Sequence, residues 1–206
     1  MKQRLANLYH EVLAPSMEAG GEKTLEEIEY ILFLKVKDFN EIRQKAQSWE
    51  TQEQWSILFP KFGMESIVRV RRTVKDSVEK FVLTSKIAID SVKGKWELEE
   101  EVERSHFDVI KERAESGMIK ERYFFPIEGT DLVWEFDVFK DSNGKDIEWV
   151  KVDLEVPAPL DRIPPFPVAF TDSVLKQPKQ RSDEEASFVS RLFKEHYVVK
   201  PDQETA

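Results

Sequence analysis

The stretch Val150-Lys151-Val152-Asp153-Leu154-Glu155-Val156 decides how this chain is read. Aliphatic residues occupy every second position and charged residues fill the gaps. Side chains alternate across a β-strand, so residues two apart share a face. A strand over 147–156 therefore has one apolar and one charged face. The segment 132–139 repeats the pattern, with Trp134, Phe136 and Val138 opposing Glu135 and Asp137. Between the two lies Ser142-Asn143-Gly144-Lys145. This is a hairpin signal, because Asn and Gly accept the positive φ that tight hairpin turns require.

Five further segments read as strands on the same grounds: 27–37, 67–73, 80–89, 92–102 and 119–126. Their charges also fall two apart. Glu27 pairs with Glu29, Arg69 with Arg71, Thr84 with Lys86, and Lys120 with Arg122, while Glu97, Glu99 and Glu101 form a run of three. The opposite positions are mostly apolar, as in Val68 and Val70, Leu83, Trp96 and Leu98, and Ile119. One reading is an ordinary sheet with a solvated outer surface. The charges, however, come in same-sign pairs, which repel unless something neutralises them. The other reading is a nearly closed barrel whose charged faces point into a wet, ligand-filled tunnel. Packed charges in a dry core would be too costly without partners.

Helical spacing appears from about Asn40, with Phe39, Ile42, Ala46 and Trp49 on one side, and from about Ser105, with Phe107, Ile110 and Ala114. Ser105-x-x-Asp108 resembles a capping box for the second helix, and Gly117 is expected to stop it. The stretch 52–63 reads as irregular. Residues 1–14 read as a short amphipathic helix broken by Pro15 and Gly20-Gly21, and residues 183–196 as a final helix behind a proline-dense segment. The expected organisation is an N-terminal appendage over 1–24, a main domain over 25–165, and a proline-rich segment with a C-terminal helix over 166–206. Seven strands with hairpin connections and three or four helices make an α+β fold with an antiparallel sheet or barrel.

Composition narrows the chemistry. The 206 residues include 40% hydrophobic and 34% charged positions, enough for a core and a wet surface. The absence of cysteine excludes disulfides, thiolate metal sites and cysteine nucleophiles, and leans mildly to the cytoplasm. The three histidines, His10, His106 and His196, are not at metal-ligand spacing. A net charge of −9 argues against general nucleic-acid coating, although a local basic pocket is compatible with it. No stretch is apolar enough for a bilayer span, and no phosphate-loop, dinucleotide or nucleophile-elbow motif is present. Trp96 and Trp134 fall on apolar faces and read as core. Trp49 and Trp55 flank the irregular stretch, where stacking on a ligand ring is conceivable. Lys176, Lys179 and Arg181 form a small basic cluster, either a solvated loop or a contact for an RNA end.

Taken in order, Glu27-x-Glu29, Arg69-x-Arg71-Arg72-Thr73, Leu83-Thr84-Ser85-Lys86, Glu97-x-Glu99-x-Glu101, Lys120-x-Arg122-Tyr123, Trp134-Glu135-Phe136-Asp137-Val138-Phe139 and the strand carrying Asp153 resemble the CYTH domain, also called the triphosphate tunnel metalloenzyme superfamily. The resemblance covers about 27–165. It implies an eight-stranded antiparallel, tunnel-like β-barrel with flanking helices. It also implies hydrolysis of inorganic, nucleoside or thiamine triphosphate, or of an RNA 5′-triphosphate, with Mg²⁺ or Mn²⁺ as cofactor. By the same resemblance Glu27, Glu29, Glu135, Asp137 and Asp153 are metal-binding acids. Arg69, Arg71, Lys86, Lys120 and Arg122 are phosphate-binding cations, and Lys86, Glu97 and Glu99 are the catalytic group, with the two glutamates holding water or a second metal.

Those residue types suit the chemistry, since guanidinium grips phosphate with paired hydrogen bonds and hard divalent cations take oxygen ligands. Two positions depart from the family pattern. Ile31 stands where the signature has lysine, and Lys151 stands where the last strand has its first acid, unless Asp153 and Glu155 are that pair. Lys151 is then a substitute phosphate cation. The alternatives are a noncatalytic module binding polyphosphate, nucleotide or an RNA 5′ end, and a class IV adenylyl cyclase. The expected partner is a triphosphate-bearing small molecule or RNA 5′ end, with no membrane and no general DNA binding. A homodimer is compatible with the sequence.

Overall fold

The computed structural model describes residues 28–59, 66–89, 94–114, 116–157, 160 and 162–176. At 28–29, 58–59, 66, 86–89, 94–97 and 173–176 the description extends to the backbone alone. The expected terminal helices over 1–14 and 183–196, Glu27, His10, His196, Lys179 and Arg181 lie outside the described residues.

Nine strands and two helices are described. They are β1 (Ile28–Val36), α1 (Phe39–Lys45), β2 (Ser48–Phe59), β3 (Ser66–Lys75), β4 (Val78–Ile89), β5 (Gly94–Glu101), α2 (Arg104–Arg113), β6 (Ser116–Pro126), β7 (Val133–Lys140), β8 (Trp149–Val156) and β9 (Phe170–Lys176). All strands belong to one sheet in the order β5-β4-β3-β2-β6-β7-β8-β1-β9, and every pairing is antiparallel. The α+β antiparallel expectation holds. The closed eight-stranded count does not, because nine strands run in an open order with β5 and β9 at its ends.

Two strands are additional to the sequence reading. The helix begun at Phe39 ends at Lys45, so Trp49 belongs to β2 rather than to a helical stripe, and most of the stretch read as irregular is β2 itself. Asp38 starts the helix by accepting a hydrogen bond from the Asn40 amide at 2.8 Å. β9 lies beyond position 165 yet joins the same sheet alongside β1. At α2 the N-cap is Glu103, without a side-chain cap bond, so Ser105 does not form the expected box. Gly117 lies inside β6, and the helix ends four residues earlier.

Turn chemistry fixes the hairpins. Asp76 and Ser77 join β3 to β4 with φ of 50° and 65°, the paired left-handed geometry of a tight two-residue turn. After β7, the Asp141 carboxylate accepts from the amides of Asn143 (2.8 Å) and Lys145 (2.9 Å), and Gly144 supplies φ of 76°. The expected hairpin signal is thus a capped loop leading into β8.

The apolar face of the sheet carries both helices. Around β1 and β6–β8, Leu32, Leu34, Tyr123, Phe125, Trp134, Phe136, Val152 and Leu154 bury against Ile42 of α1 and against Leu160, Ile163 and Phe166. Around β2–β4, Trp55 and Val70 bury against Phe107 of α2 and its C-cap Ala114, with Phe81 and Leu83 beside them. A fully buried Leu or Phe side chain stabilises by about 1.5–3 kcal/mol, so these clusters anchor the sheet. Trp134 is core as expected, whereas the Trp96 side chain lies outside the description. No helix among the described residues is long and apolar enough to cross a membrane.

Candidate functional site

Register places the charged positions in one alternation. Across β6, β7 and β8, Arg122 faces Asp137 and Asp137 faces Lys151, while Glu135 faces Asp153. Across β2, β3 and β6, Gln52 faces Lys120, and Gln54 and Ser56 face Arg71 and Arg69. On β4 and β5, Arg69 faces Thr84, Thr84 faces Glu99, and the backbone of Lys86 is register partner to Glu97. Glu29 is partner to Glu155 and Ile31 to Asp153. This is the face opposite the helices.

That face is not uniformly wet. The buried polar side chains among the described residues are Gln52, Thr84, Asp137 and Asp153, and all four belong to it. A smaller apolar cluster of Phe33, Phe139 and Ile147, flanked by Met118 and Trp149, lies at one end.

One group of charges centres on β6–β8. Lys120 Nζ bonds Asp137 Oδ2 at 2.5 Å and lies 5.7 Å from the centroid of the Phe139 ring. Arg122 donates through Nε to Asp137 Oδ1 at 2.7 Å and through Nη2 to Oδ2 at 2.9 Å. Its Nη1 bonds Glu135, and its Nη2 lies 3.5 Å from Asp153 Oδ2. Lys151 bonds that same Asp153 oxygen. Burial would raise the Asp137 carboxyl, but Lys120 and Arg122 hold it well below the usual carboxylate range. Burial lowers the Lys120 ammonium to about 8, even with Asp137 opposing the shift. Burial also raises Glu135, with Asp137 and Asp153 adding to the rise against Arg122.

A second group lies on β3–β5. Glu99 Oε1 accepts from Arg69 Nη2 (3.3 Å), Arg71 Nη2 (3.2 Å) and Thr84 Oγ1 (2.9 Å). A cavity of about 280 Å³ opens between β2, β3 and β6, lined by Gln54, Ser56, Arg69, Ser116 and Met118.

The structure thus gathers Lys120, Arg122, Glu135, Asp137, Lys151 and Asp153 in one group, and Arg69, Arg71 and Glu99 in the other. Glu27 and the side chains of Glu29, Lys86 and Glu97 lie outside the described residues. Sequence reasoning missed the β2 contribution. Gln52 is buried, bonds Glu50 at 2.6 Å, and keeps its Oε1 buried without a partner. The run Ser48, Glu50, Gln52, Gln54 and Ser56, polar at every second position, was the available signal. Trp55 is not at a ligand mouth: it is buried under α2, with Lys111 Nζ 5.2 Å from its ring centroid. Trp49 is half exposed on the opposite face to the charges and stacks on Tyr123, with centroids 6.3 Å apart. His106 is exposed on α2.

The described acids do not fit a divalent metal. Both oxygens of Asp137 are bonded to protein cations, Glu135 is bonded by Arg122, and Asp153 Oδ2 by Lys151. Of their oxygens, Asp153 Oδ1 is buried without a partner. Among the described residues no three acids or histidines are arranged to hold a metal ion.

No family model matches the chain, and no curated protein matches it. Solved structures similar to it include these two. The PH1819 protein of Pyrococcus horikoshii OT3 is 16% identical with a TM-score of 0.43, over 81% of this chain and 86% of that one. A candidate adenylate cyclase from Bacillus halodurans is 12% identical with a TM-score of 0.43, over 64% of this chain and 81% of that one.

Proposed function

We propose that this protein binds a triphosphate-bearing ligand on the charged face of its sheet, with the sheet curled around that face as a tunnel-like wall. One observation carries the reading. Arg69, Arg71, Lys120, Arg122 and Lys151 share that face and their side chains are only 11–22% exposed. Partly desolvated cations need anionic partners, and four internal carboxylates, Glu99, Glu135, Asp137 and Asp153, meet these five cations where ligand phosphates would replace them. Guanidinium and ammonium groups in such a setting suit phosphate oxygens. The burial of Asp137, Asp153, Thr84 and Gln52 on the face without helices supports the curl. In a flat sheet, four strand spacings separate β3 from β8, about 19 Å, too far for one triphosphate to touch both. Curling turns Arg69 and Arg71 toward Lys151.

A ligand phosphate would exchange with the internal carboxylates for these cations. The 280 Å³ cavity beside Arg69 would take an uncharged part of the ligand, with Gln54, Ser56 and Ser116 offering hydrogen bonds. Cleavage of the triphosphate is the second reading, favoured by Glu99. Its carboxylate is about half exposed beside Arg69 and Arg71, a position from which it would orient an attacking water.

Calorimetry with inorganic triphosphate, ATP and thiamine triphosphate tests binding. Phosphate and cyclic AMP assays on the same mixtures, with and without Mg²⁺ or Mn²⁺, separate binding from hydrolysis and cyclisation. Lys86→Ala serves as the control. Binding without turnover supports the first reading, and phosphate release that needs Lys86 supports the second. Absence of binding to all three ligands would sink both.

A further inference from the structure

The acids of β7 and β8 are already neutralised from within. Asp137 holds Lys120 and Arg122, Asp153 holds Lys151 and lies near Arg122, and Glu135 holds Arg122. Within these ion pairs three cations meet three carboxylates, so each of the three acids already has a protein cation as partner. Lys151 is central, because register seats it directly opposite Asp137 on β7 and its ammonium reaches Asp153 on its own strand. A divalent ion at Asp153 would have to displace that ammonium and face the Arg122 guanidinium on Oδ2, or sit beside them on the buried oxygen Oδ1. Like charges a few ångströms apart in a low-dielectric pocket repel strongly. Magnesium also needs near-octahedral oxygen ligands and gives up its waters reluctantly. The motif resemblance implied a metal, and the donor set shown by the side chains offers an ammonium in its place.

We infer that the Lys151 ammonium is the resident counter-cation of this group, so that a triphosphate-bearing ligand is held by protein cations alone, with no divalent metal at Asp137 and Asp153. This rests on the triphosphate-binding reading for the ligand, and on the Lys151–Asp153 contact for the metal. The ammonium is covalently tethered, so it cannot arrive with the ligand or leave with it. Binding of a bare polyphosphate then runs without chelation, and excess Mg²⁺ competes for the ligand in solution.

The full chain, stripped with EDTA, is titrated with Mn²⁺ and followed by the paramagnetic resonance of the free ion. In parallel, inorganic triphosphate binding is measured calorimetrically in EDTA. The wild type is expected to bind no stoichiometric Mn²⁺ and to bind triphosphate in EDTA. Lys151→Gln removes the ammonium from Asp153 Oδ2, and is expected to gain a Mn²⁺ site and to lose about tenfold in triphosphate affinity in EDTA. Lys151→Arg, which keeps the charge, should gain no site. A stoichiometric Mn²⁺ site in the ligand-free wild type, or triphosphate binding that vanishes in EDTA, overturns the inference. If triphosphate does not bind under any condition, the functional reading falls alone. The Mn²⁺ comparison then decides, a gained site in Lys151→Gln upholding the counter-cation and no gain overturning it. Should Lys151→Gln fail to fold, the two wild-type measurements and Lys151→Arg decide the matter.

Discussion

Arg122 and Asp137 are register partners on β6 and β7, and the guanidinium grips the carboxylate with two hydrogen bonds, Nε to Oδ1 at 2.7 Å and Nη2 to Oδ2 at 2.9 Å. Asp137 is fully buried and also takes the Lys120 ammonium. Removing its charge leaves two cations without their main partner. Breaking a buried pair from one side typically costs about 3–5 kcal/mol. Asp137→Asn is expected to lose that much stability in urea denaturation. A loss below about 1 kcal/mol, the value of an exposed pair, would mean that water reaches the group.

Lys120 gives the charged face a pH dependence. Burial holds its ammonium at about 8, below the ordinary lysine value. The unfolded chain therefore binds the proton more tightly, and the Lys120 contribution makes stability rise with pH from about 8 toward the ordinary value. Anion binding runs the other way, because it needs the charged form. Affinity for inorganic triphosphate should be about tenfold weaker at pH 9 than at pH 7. Lys120→Arg, charged throughout, should remove most of that difference, and calorimetry at the two pH values measures it.

Gly117 is where β6 crosses the Trp55 ring. A β-carbon there would lie 2.4 Å from Trp55 Cε3 and 2.7 Å from the Gln54 carbonyl oxygen. Trp55 is itself packed under α2 and cannot swing away freely. Gly117→Ala is expected to destabilise by about 1–3 kcal/mol, the usual cost of overpacking. Thermal melts of the two proteins make the comparison.

Ser77 has φ of 65° without being glycine, beside Asp76 at 50°. Left-handed backbone costs an ordinary L-residue about 1 kcal/mol. Ser77→Gly should recover roughly that amount in denaturation, with ligand binding unchanged, since the turn lies at the β3–β4 tip.

The face that carries the charges was legible, because period-two alternation needs only one strand at a time. Lys120 with Arg122, Glu135 with Asp137, and Lys151 with Asp153 could each be placed without a partner strand. Which cation meets which acid was not legible, because that depends on register: Arg122 meets Asp137 only through the β6–β7 pairing. β2 was hidden by two coincidences. Phe39, Ile42, Ala46 and Trp49 keep helical spacing across the real helix end, and Glu53 interrupts the apolar side of the strand. Glu53 is tolerated there because Lys111 bonds it at 2.5 Å and Trp55 Nε1 at 2.8 Å, contacts made by folding. β9 follows a proline-dense segment and is short and polar, as strands at the end of a sheet often are.

The position of β5 at one end of the sheet bears on how this protein keeps apart from copies of itself. Among the described residues β5 pairs with β4 alone, so its other side presents backbone donors and acceptors of the kind that recruit a foreign strand. Glu99, Glu100 and Glu101 are exposed along it, with Leu98 exposed among them. Two molecules approaching through this edge would bring their glutamate rows together and repel. The negative row thus guards this edge, and replacing its glutamates by neutral residues would leave Leu98 as a seed for strand-to-strand aggregation.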